Sequence, residues 1–323
     1  MSTTAIVDPK LMLPLPWHQQ FWQGMSYRIA ANKVPHALIL SGVEGIGLER
    51  LARTVVHQHL CMDTESEYPC GVCKACRLLA AHTHPDFLQV SPAKQGGAIL
   101  VDQIRGLCNY LEKTAQQGGW KVALISPAES MNMAASNALL KNLEEPRAKT
   151  LVILVSHRLS QVPATVRSRC QIETLSIPTA DQSLAWLTNV AGDSQQMTDA
   201  LDMAGGRPLL ALEYMQGEGL VQRLQLENLL DSLRSGDVSP CDAAQQVQQY
   251  DAENAIEWAM SYLHRQVTSE LRDRLNPALF GFSDSLIKAR GWILSGSNPN
   301  NQLLWEQLFI EWSQIFQQRG KSA

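Results

Sequence analysis

The sequence predicts an α/β protein that contains a parallel sheet and continues into a helical C-terminal part. Short apolar runs alternate with helical patterns over residues 1–177. One of these runs leads through a glycine-rich loop into a helix, and the alternation stops beyond Pro178. Alternating strands and helices are typical of a parallel sheet that carries helices on both faces.

Short aliphatic runs predict five strands, at 37–40, 87–90, 122–125, 151–155 and 172–175. After the first run and its loop, apolar residues recur at helical spacing from Leu48 to Val56. A later helix, which ends before Pro146, is predicted to pack on the sheet through a stripe formed by Met133, Ser136, Leu140 and Leu143.

The C-terminal part is predicted to be helical because two long stripes of apolar residues follow helical spacing. The first stripe consists of Ile256, Met260, Leu263, Val267 and Leu271. The second consists of Trp305, Leu308, Phe309, Trp312, Ile315 and Phe316. Such stripes ordinarily belong to a core.

The length and composition indicate a globular protein of more than one domain. The chain has 323 residues, of which 45% are hydrophobic and 18% charged, and chains of this length ordinarily form two or three packed units. Its longest apolar runs are far shorter than a bilayer-spanning helix. The N-terminal residues contain Asp8 and Lys10 and no continuous apolar segment. We therefore expect a cytoplasmic protein without a transmembrane helix or signal peptide.

The charge balance limits how this chain could contact nucleic acid. Twenty-seven basic and 31 acidic residues give a net charge of −4, so such contact requires a local basic patch. One candidate patch comprises Lys141, Arg147, Lys149, Arg158, Arg167 and Arg169. An ordinary solvated surface accounts for the same residues at least as well.

Four of the seven cysteines are spaced as metal ligands. The odd total, without a signal peptide, favours reduced thiols over a disulfide framework. Within 61–76 the pattern is Cys-x8-Cys-x2-Cys-x2-Cys, formed by Cys61, Cys70, Cys73 and Cys76. Four thiolates can surround one Zn²⁺ tetrahedrally and leave no position open for substrate, so a structural zinc site is predicted. A redox pair of Cys73 and Cys76 and an iron–sulfur site are the alternatives.

The strand, loop and helix at 37–56 have the layout of a P-loop. In a P-loop, backbone N–H groups hold phosphates while a lysine and a hydroxyl residue contact phosphate and magnesium. The glycines are present as Gly42, Gly45 and Gly47. Leu48 and Glu49, however, occupy the lysine and hydroxyl positions.

These replacements predict that ATP is neither bound tightly nor hydrolysed. Loss of the lysine removes an attraction of about 4 kcal/mol at a separation of about 4 Å and an effective dielectric of about 20, and the carboxylate repels phosphates. The acidic pair expected after the run at 122–125 is also missing, since only Glu129 is nearby. A glycine turn that never bound nucleotide is the alternative.

Several motifs resemble those of bacterial clamp-loader AAA+ subunits over most of residues 15–215. They are Pro35-His36-Ala37-Leu38 before the loop, the four-cysteine insert, His84-Pro85-Asp86, the segment from Asn137 to Pro146, and Arg167-Ser168-Arg169-Cys170. The resemblance implies an AAA+ domain at 1–177 with a zinc module at 61–76. It further implies a small helical lid domain at 178–218 and an all-α collar domain for oligomerisation at 219–323.

The resemblance also implies a role for Arg169. In that family the arginine of the Ser-Arg-Cys motif is a finger that reaches the ATP of a neighbouring subunit. A permanently charged planar guanidinium suits this role, because it pairs with phosphate oxygens from outside the pocket that binds them. Ser156 falls at the family's first sensor position. For Arg169, a surface salt bridge is the alternative.

Within that family, an intact P-loop marks the gamma or tau ATPase subunits. Loss of its lysine, with the cysteine module and Ser-Arg-Cys retained, resembles the subunit without ATPase activity. The resemblance then implies a five-subunit ring with gamma or tau and delta, which loads the sliding clamp onto primed DNA for DNA polymerase III. The polymerase activity belongs to the complex.

Two other functions are kept as hypotheses. One is a divergent clamp-loader ATPase that binds and hydrolyses ATP itself. The other is a zinc-dependent nucleic-acid module, which is disfavoured by charge, since Lys74 is the only basic residue of 61–76 and is outnumbered by Asp63, Glu65 and Glu67.

Overall fold

The computed structural model describes residues 13–63, 66–94, 96–117, 119–192, 197–217, 219–270, 276–294 and 299–317. Glu65 and Leu271 lie outside the described residues. The chain forms two compact units that divide between residues 194 and 195, with 206–210 belonging to the first unit. The three-domain division at 177/178 and 218/219 stays a prediction.

The first unit is built on a five-stranded sheet in which every neighbouring pair of strands is parallel. The strands are β1 (Ala37–Ser41), β2 (Phe87–Val90), β3 (Lys121–Ile125), β4 (Thr150–Ser156) and β5 (Gln171–Thr174). Their spatial order is β2-β3-β4-β1-β5. All five predicted strands are confirmed to within one residue at each end. The central strands β1, β3 and β4 are buried along their whole length, as expected for continuous apolar runs.

Helices cover both faces of this sheet, as predicted. The described helices of this unit up to Ala191 are α1 (Gln19–Ala30), α2 (Leu48–Leu60), α3 (Lys74–Ala80), α4 (Val101–Leu111), α5 (Met133–Glu144), α6 (Ala164–Arg167) and α7 (Ala180–Ala191). Strand residues alternate between two cores. Ile39 belongs to the core that contains Leu107 and Leu139, whereas Leu38 belongs to the core that contains Trp22 and Val55.

The predicted packing face of α5 is wrong in part. Ser136 and Leu143 are buried, but Met133 is 67% exposed, and Leu139 rather than Leu140 is fully buried. Asn132 caps the helix by accepting a hydrogen bond from the Ala135 N–H at 2.8 Å, so Met133 begins the first turn. Apolar residues lie on both sides of the stripe, and spacing alone therefore did not decide which row faces the sheet.

The described helices of the remaining chain are α8 (Met197–Met203), α9 (Pro208–Gln216), α10 (Gly219–Ser235), α11 (Pro240–Val247), α12 (Ala252–Glu270), α13 (Ala278–Leu294) and α14 (Asn301–Gln317). This confirms the predicted helical class. Trp305 and Trp312 are fully buried, and the Trp312 indole donates to the Leu230 carbonyl at 2.8 Å. Trp292 is 47% exposed. Over the part of the chain that is described, no helix combines the length and apolar character that crossing a bilayer requires.

Candidate functional site

The four cysteines of the insert converge on one point. Cys61 follows α2 and Cys76 lies on α3, and the four Sγ atoms lie within 4.8 Å of one another. The Sγ of Cys61 is 3.5 Å from that of Cys70, 3.9 Å from that of Cys73 and 3.7 Å from that of Cys76. A tetrahedral zinc with Zn–S bonds of about 2.3 Å separates its sulfurs by about 3.8 Å. The spacing of the thiols therefore fits a single tetrahedral ion.

Backbone N–H groups of the insert point at these sulfurs. Cys70 N–H donates to Cys61 Sγ at 3.5 Å, and the N–H groups of Cys73 and Cys76 donate to the preceding cysteine at 3.4 Å. Burial raises the pKa of Cys61 and Cys76. Burial also opposes ionisation of Cys73, but N–H donors outweigh it and lower its pKa to about 7. A bound cation would offset the burial penalty, because metal ligation deprotonates thiols.

The glycine loop at 42–47 contains two glycines in the left-handed region and is packed against by side chains from other segments. Gly45 and Gly47 both have a φ of +87°. A Cβ at Gly47 would lie 2.4 Å from Leu15 Cδ1 and 3.1 Å from Leu209 Cδ1. A Cβ at Gly45 would lie 3.0 Å from Leu210 Cβ. Leucines from two segments remote in sequence thus pack directly against the loop.

Hydrogen bonds hold this cover in place. Leu209 N–H donates to the Gly45 carbonyl at 3.1 Å, and the Trp17 indole donates to the Ile46 carbonyl at 2.8 Å. Gly42 N–H donates to the Ser156 carbonyl at 3.2 Å. Two carbonyl groups of the loop thus anchor the Trp17 and Leu209 segments, and the Gly42 N–H joins the start of the loop to the end of β4.

The two replaced positions also make internal contacts. Leu48 is 1% exposed and belongs to the core of the first unit. The Glu49 carboxylate pairs with Arg53 at 3.1 Å and accepts a hydrogen bond from Gln89 at 3.2 Å. Neither side chain can replace the missing cation, since one is apolar and the other is negative.

The carboxyl ends of β3 and β4 contain two polar residues where nucleotide chemistry would be expected. Glu129 accepts the His157 N–H at 3.0 Å through one carboxylate oxygen. Ser156, at the predicted sensor position, is buried, and its hydroxyl has no hydrogen-bond partner among the described residues. Glu129 therefore fixes the backbone after β4.

Sequence reasoning did not identify the residues that cover the loop. Leu15, Trp17 and Leu209 lie far from 42–47 in sequence, and no local pattern marks them. His18, in the same segment, is 1% exposed, and burial together with the nearby Arg50 charge lowers its pKa to about 4. A neutral, buried histidine beside the loop adds to the apolar character of the cover.

Arg169 lies just before β5 and is tied to its own subunit. Its Nε donates to Glu144 Oε1 at 2.8 Å, and its Nη1 donates to the Thr165 carbonyl at 2.9 Å and to Ser168 Oγ at 3.2 Å. The side chain remains 33% exposed. Two of the motifs singled out in the sequence, the segment ending at Pro146 and Ser-Arg-Cys, thus meet at the Glu144–Arg169 pair.

The topology separates Arg169 from the glycine loop of its own chain. The loop follows the carboxyl end of β1, whereas Arg169 precedes the amino end of β5, and these strands are parallel with Leu38 opposite Gln171. β5 begins at Gln171, which is level with Leu38 and therefore four residues, or about 13 Å, from Gly42 along the strand direction; Arg169 precedes this strand. Arg169 thus lies toward the amino edge of the sheet, away from the carboxyl edge that carries the glycine loop of its own chain.

Comparisons with known proteins give one consistent result. A family model described as DNA polymerase III, delta subunit, matches residues 17–179. The DNA polymerase III subunit delta' of Pseudomonas aeruginosa is 33% identical over 323 residues, covering 93% of this chain and 97% of that protein. The subunit delta' of Haemophilus influenzae is 37% identical over 209 residues, covering 64% of this chain and 63% of that protein.

A solved structure shares the fold. The DNA polymerase III gamma subunit-related protein of Thermotoga maritima superposes with a TM-score of 0.56 at 16% identity, covering 91% of this chain and 99% of that one. At this identity the likeness concerns the fold alone.

Proposed function

The chain belongs to the DNA polymerase III delta' family, and we propose that it is a clamp-loader subunit that does not hydrolyse ATP. It assembles with gamma or tau and delta subunits in a five-subunit ring in the cytoplasm. Through that ring it helps to load the sliding clamp onto primed DNA. Residues 1–177 form the AAA+ domain, 178–218 the lid and 219–323 the collar.

The lack of ATPase activity is supported by the cover over the loop. Leu48 and Glu49 remove the cation and hydroxyl that phosphate and magnesium require. Leu15, which is buried, and Leu209, which is partly buried, pack against Gly47, so a triphosphate at Gly47 would have to displace these leucine side chains. Both effects oppose nucleotide binding, and they arise from different parts of the chain.

The single observation that carries the proposed catalytic role is the placement of Arg169. Its guanidinium is partly exposed at the edge of the sheet opposite its own glycine loop. A neighbouring subunit can present its nucleotide to that edge, and Arg169 would then stabilise the charge that develops on the transferred phosphoryl group. To do so it exchanges the Glu144 carboxylate for phosphate oxygens.

We also propose that the four cysteines bind one structural Zn²⁺. Their sulfur spacing suits tetrahedral zinc, and a site with four thiolates has no open position for chemistry. Zinc would tie the end of α2 to α3 and thereby fix the insert.

DNA-stimulated ATP turnover tests the proposed function. It is measured for this protein alone and then mixed with a clamp-loader ATPase subunit and delta, with wild-type, Arg169→Ala and Arg105→Ala chains. Arg105 is a matched control because, like the partly exposed Arg169, it is a surface arginine paired with a carboxylate, Asp102 at 3.2 Å. We expect no turnover by the isolated chain and a loss in the mixture for Arg169→Ala only.

The expected loss is large at the site that Arg169 serves, since fingers supplied by another subunit contribute about 10³–10⁵ in rate in other systems. Robust turnover by the isolated chain would show that it is a divergent ATPase. Equal rates for Arg169→Ala and wild type in the mixture would refute the finger.

A further inference from the structure

A second feature of the first unit lies at the amino edge of β3 and β4. It is a cavity of about 380 Å³, within the range of about 300–1,000 Å³ typical of ligand sites. Four cationic residues line it, namely Lys113, Lys121, Arg147 and Lys149. No carboxylate lies among the described residues of its lining, although the whole chain carries a net charge of −4. The positive charge is therefore concentrated locally.

One of the four cations is neutralised inside the fold. Lys121 is 3% exposed, its Nζ lies 3.5 Å from Asp86 Oδ1, and it sits 3.8 Å from the centre of the Tyr110 ring. The Asp86 carboxylate also accepts the N–H groups of Gln116 and Gln117, at 2.8 Å and 2.9 Å. This network holds the loop after α4 against the sheet, and Lys121 is its one member that lines the cavity among the described residues.

The other three cations are free to meet a ligand. Lys113, Arg147 and Lys149 are exposed, and none forms an ion pair with another described residue. Three like charges around one cavity repel one another, and that repulsion is relieved when an anion enters.

The backbone that carries these cations is well anchored. Lys121 N–H donates to the Lys149 carbonyl at 2.9 Å, and Thr150 Oγ donates to the Arg147 carbonyl at 2.6 Å. These bonds connect 147–150 to the ends of β3 and β4. Sites placed on anchored backbone lose less entropy on binding than sites on free loops.

The walls of the cavity identify the class of anion. They include the accessible side chains of Ala115 and Ala148 and the 2% exposed Leu111, with no aromatic residue among the described lining. Single-stranded nucleic acids are ordinarily bound where bases stack on aromatic side chains, and this cavity offers none. An acidic peptide supplies both carboxylates for the rim and an aliphatic side chain for the walls.

We propose that this cavity binds an acidic peptide segment of a partner protein. Its carboxylates pair with Lys113, Arg147 and Lys149, and an aliphatic side chain between them contacts Ala115 and Ala148. The proposal stands apart from the Arg169 finger, because none of these residues contacts Arg169 or the four cysteines in the described structure.

Fluorescence anisotropy with the full chain tests the proposal. The probe is a fluorescein-labelled peptide of sequence Asp-Asp-Leu-Asp-Asp-Leu. Its controls are the same peptide with serines for leucines, the same peptide with asparagines for aspartates, and a labelled oligothymidine. The variants are a Lys113→Gln/Arg147→Gln double substitution and Lys288→Gln, an exposed cation on α13 of the second unit.

We expect the acidic leucine peptide to bind most tightly, with an affinity that falls as salt rises. The double variant should bind about tenfold more weakly, as expected for the loss of two exposed ion pairs, while Lys288→Gln binds like wild type. Equal thermal melting of all variants checks that each is folded.

Other outcomes overturn the proposal. Unchanged binding by the double variant would show that the peptide binds at a different place on the protein. Equal binding of the leucine and serine peptides would mean that charge alone acts and that the aliphatic walls do not contribute. Tighter binding of oligothymidine, lost in the double variant, would assign the cavity to nucleic acid. Lack of peptide binding at millimolar concentration would also refute it.

Discussion

Replacing Gly47 with alanine is expected to destabilise the first unit far more than the same change at a glycine that nothing covers. Gly47 has a φ of +87°, and a left-handed conformation costs an alanine about 1–2 kcal/mol. The new Cβ would lie 2.4 Å from Leu15 Cδ1 and 3.1 Å from Leu209 Cδ1. Relief of such overpacking typically costs about 1–3 kcal/mol more. The expected total is about 2–5 kcal/mol.

Gly96 is the matched control in the same unit. Its φ is +70°, and no described atom lies within 4 Å of the position its Cβ would take. Gly96→Ala should therefore cost only the conformational part, about 1–2 kcal/mol. The difference between the two variants isolates the contribution of the leucines that cover the loop.

The assay is hydrogen exchange in increasing urea, followed on peptides from 37–60. Local exchange is preferred to one unfolding curve because the chain has two compact units and need not unfold in a single step. Adding Leu15→Ala to Gly47→Ala should recover part of the lost stability, because it removes the side chain that the new Cβ would meet. A double-mutant cycle measures this recovery. Equal effects of Gly47→Ala and Gly96→Ala would refute the reasoning, because the leucines would then not contact the loop closely.

Two further predictions concern the metal site and acid stability. Purified wild-type protein should contain one zinc per chain by elemental analysis. Cys73→Ser should lower that zinc content and speed hydrogen exchange in the insert, because structural zinc contributes on the order of 10 kcal/mol to local folding. The control Cys241→Ser, at an exposed cysteine, should retain full zinc. The pKa of His18 is lowered to about 4, below the unfolded value of about 6.5, so the unfolded chain binds the extra proton. Stability should therefore fall as the pH decreases from about 6.5 to 4, by about 3 kcal/mol at most for this residue. In His18→Gln, the free energy of unfolding measured in urea should fall less steeply between these pH values. Some decrease should remain, because the pKa values of His57 and His59 are lowered in the same direction. An unchanged pH dependence would show that His18 does not contribute.

Features that depend on residues close together in the sequence could be predicted from the sequence. The strands were located because strands buried on both faces of a sheet appear in the sequence as short continuous apolar runs, which can be identified without knowing which strands pair. The convergence of the four cysteines could be predicted because 61–76 is short enough for local geometry to bring the thiols together. The face of α5 was partly wrong because Leu139 and Leu140 are equally apolar, and only contact with the sheet distinguishes them.

The sequence by itself determined the parallel α/β class, the glycine loop without its lysine, the metal-ligand spacing and the Ser-Arg-Cys motif. Only the tertiary structure decided that Leu15 and Leu209 cover that loop, that Glu144 pairs with Arg169, and that Arg147 and Lys149 share a cavity with Lys113. The physical reason is that these contacts join segments separated by tens of residues. Their geometry depends on strand order and helix packing, which local spacing does not encode.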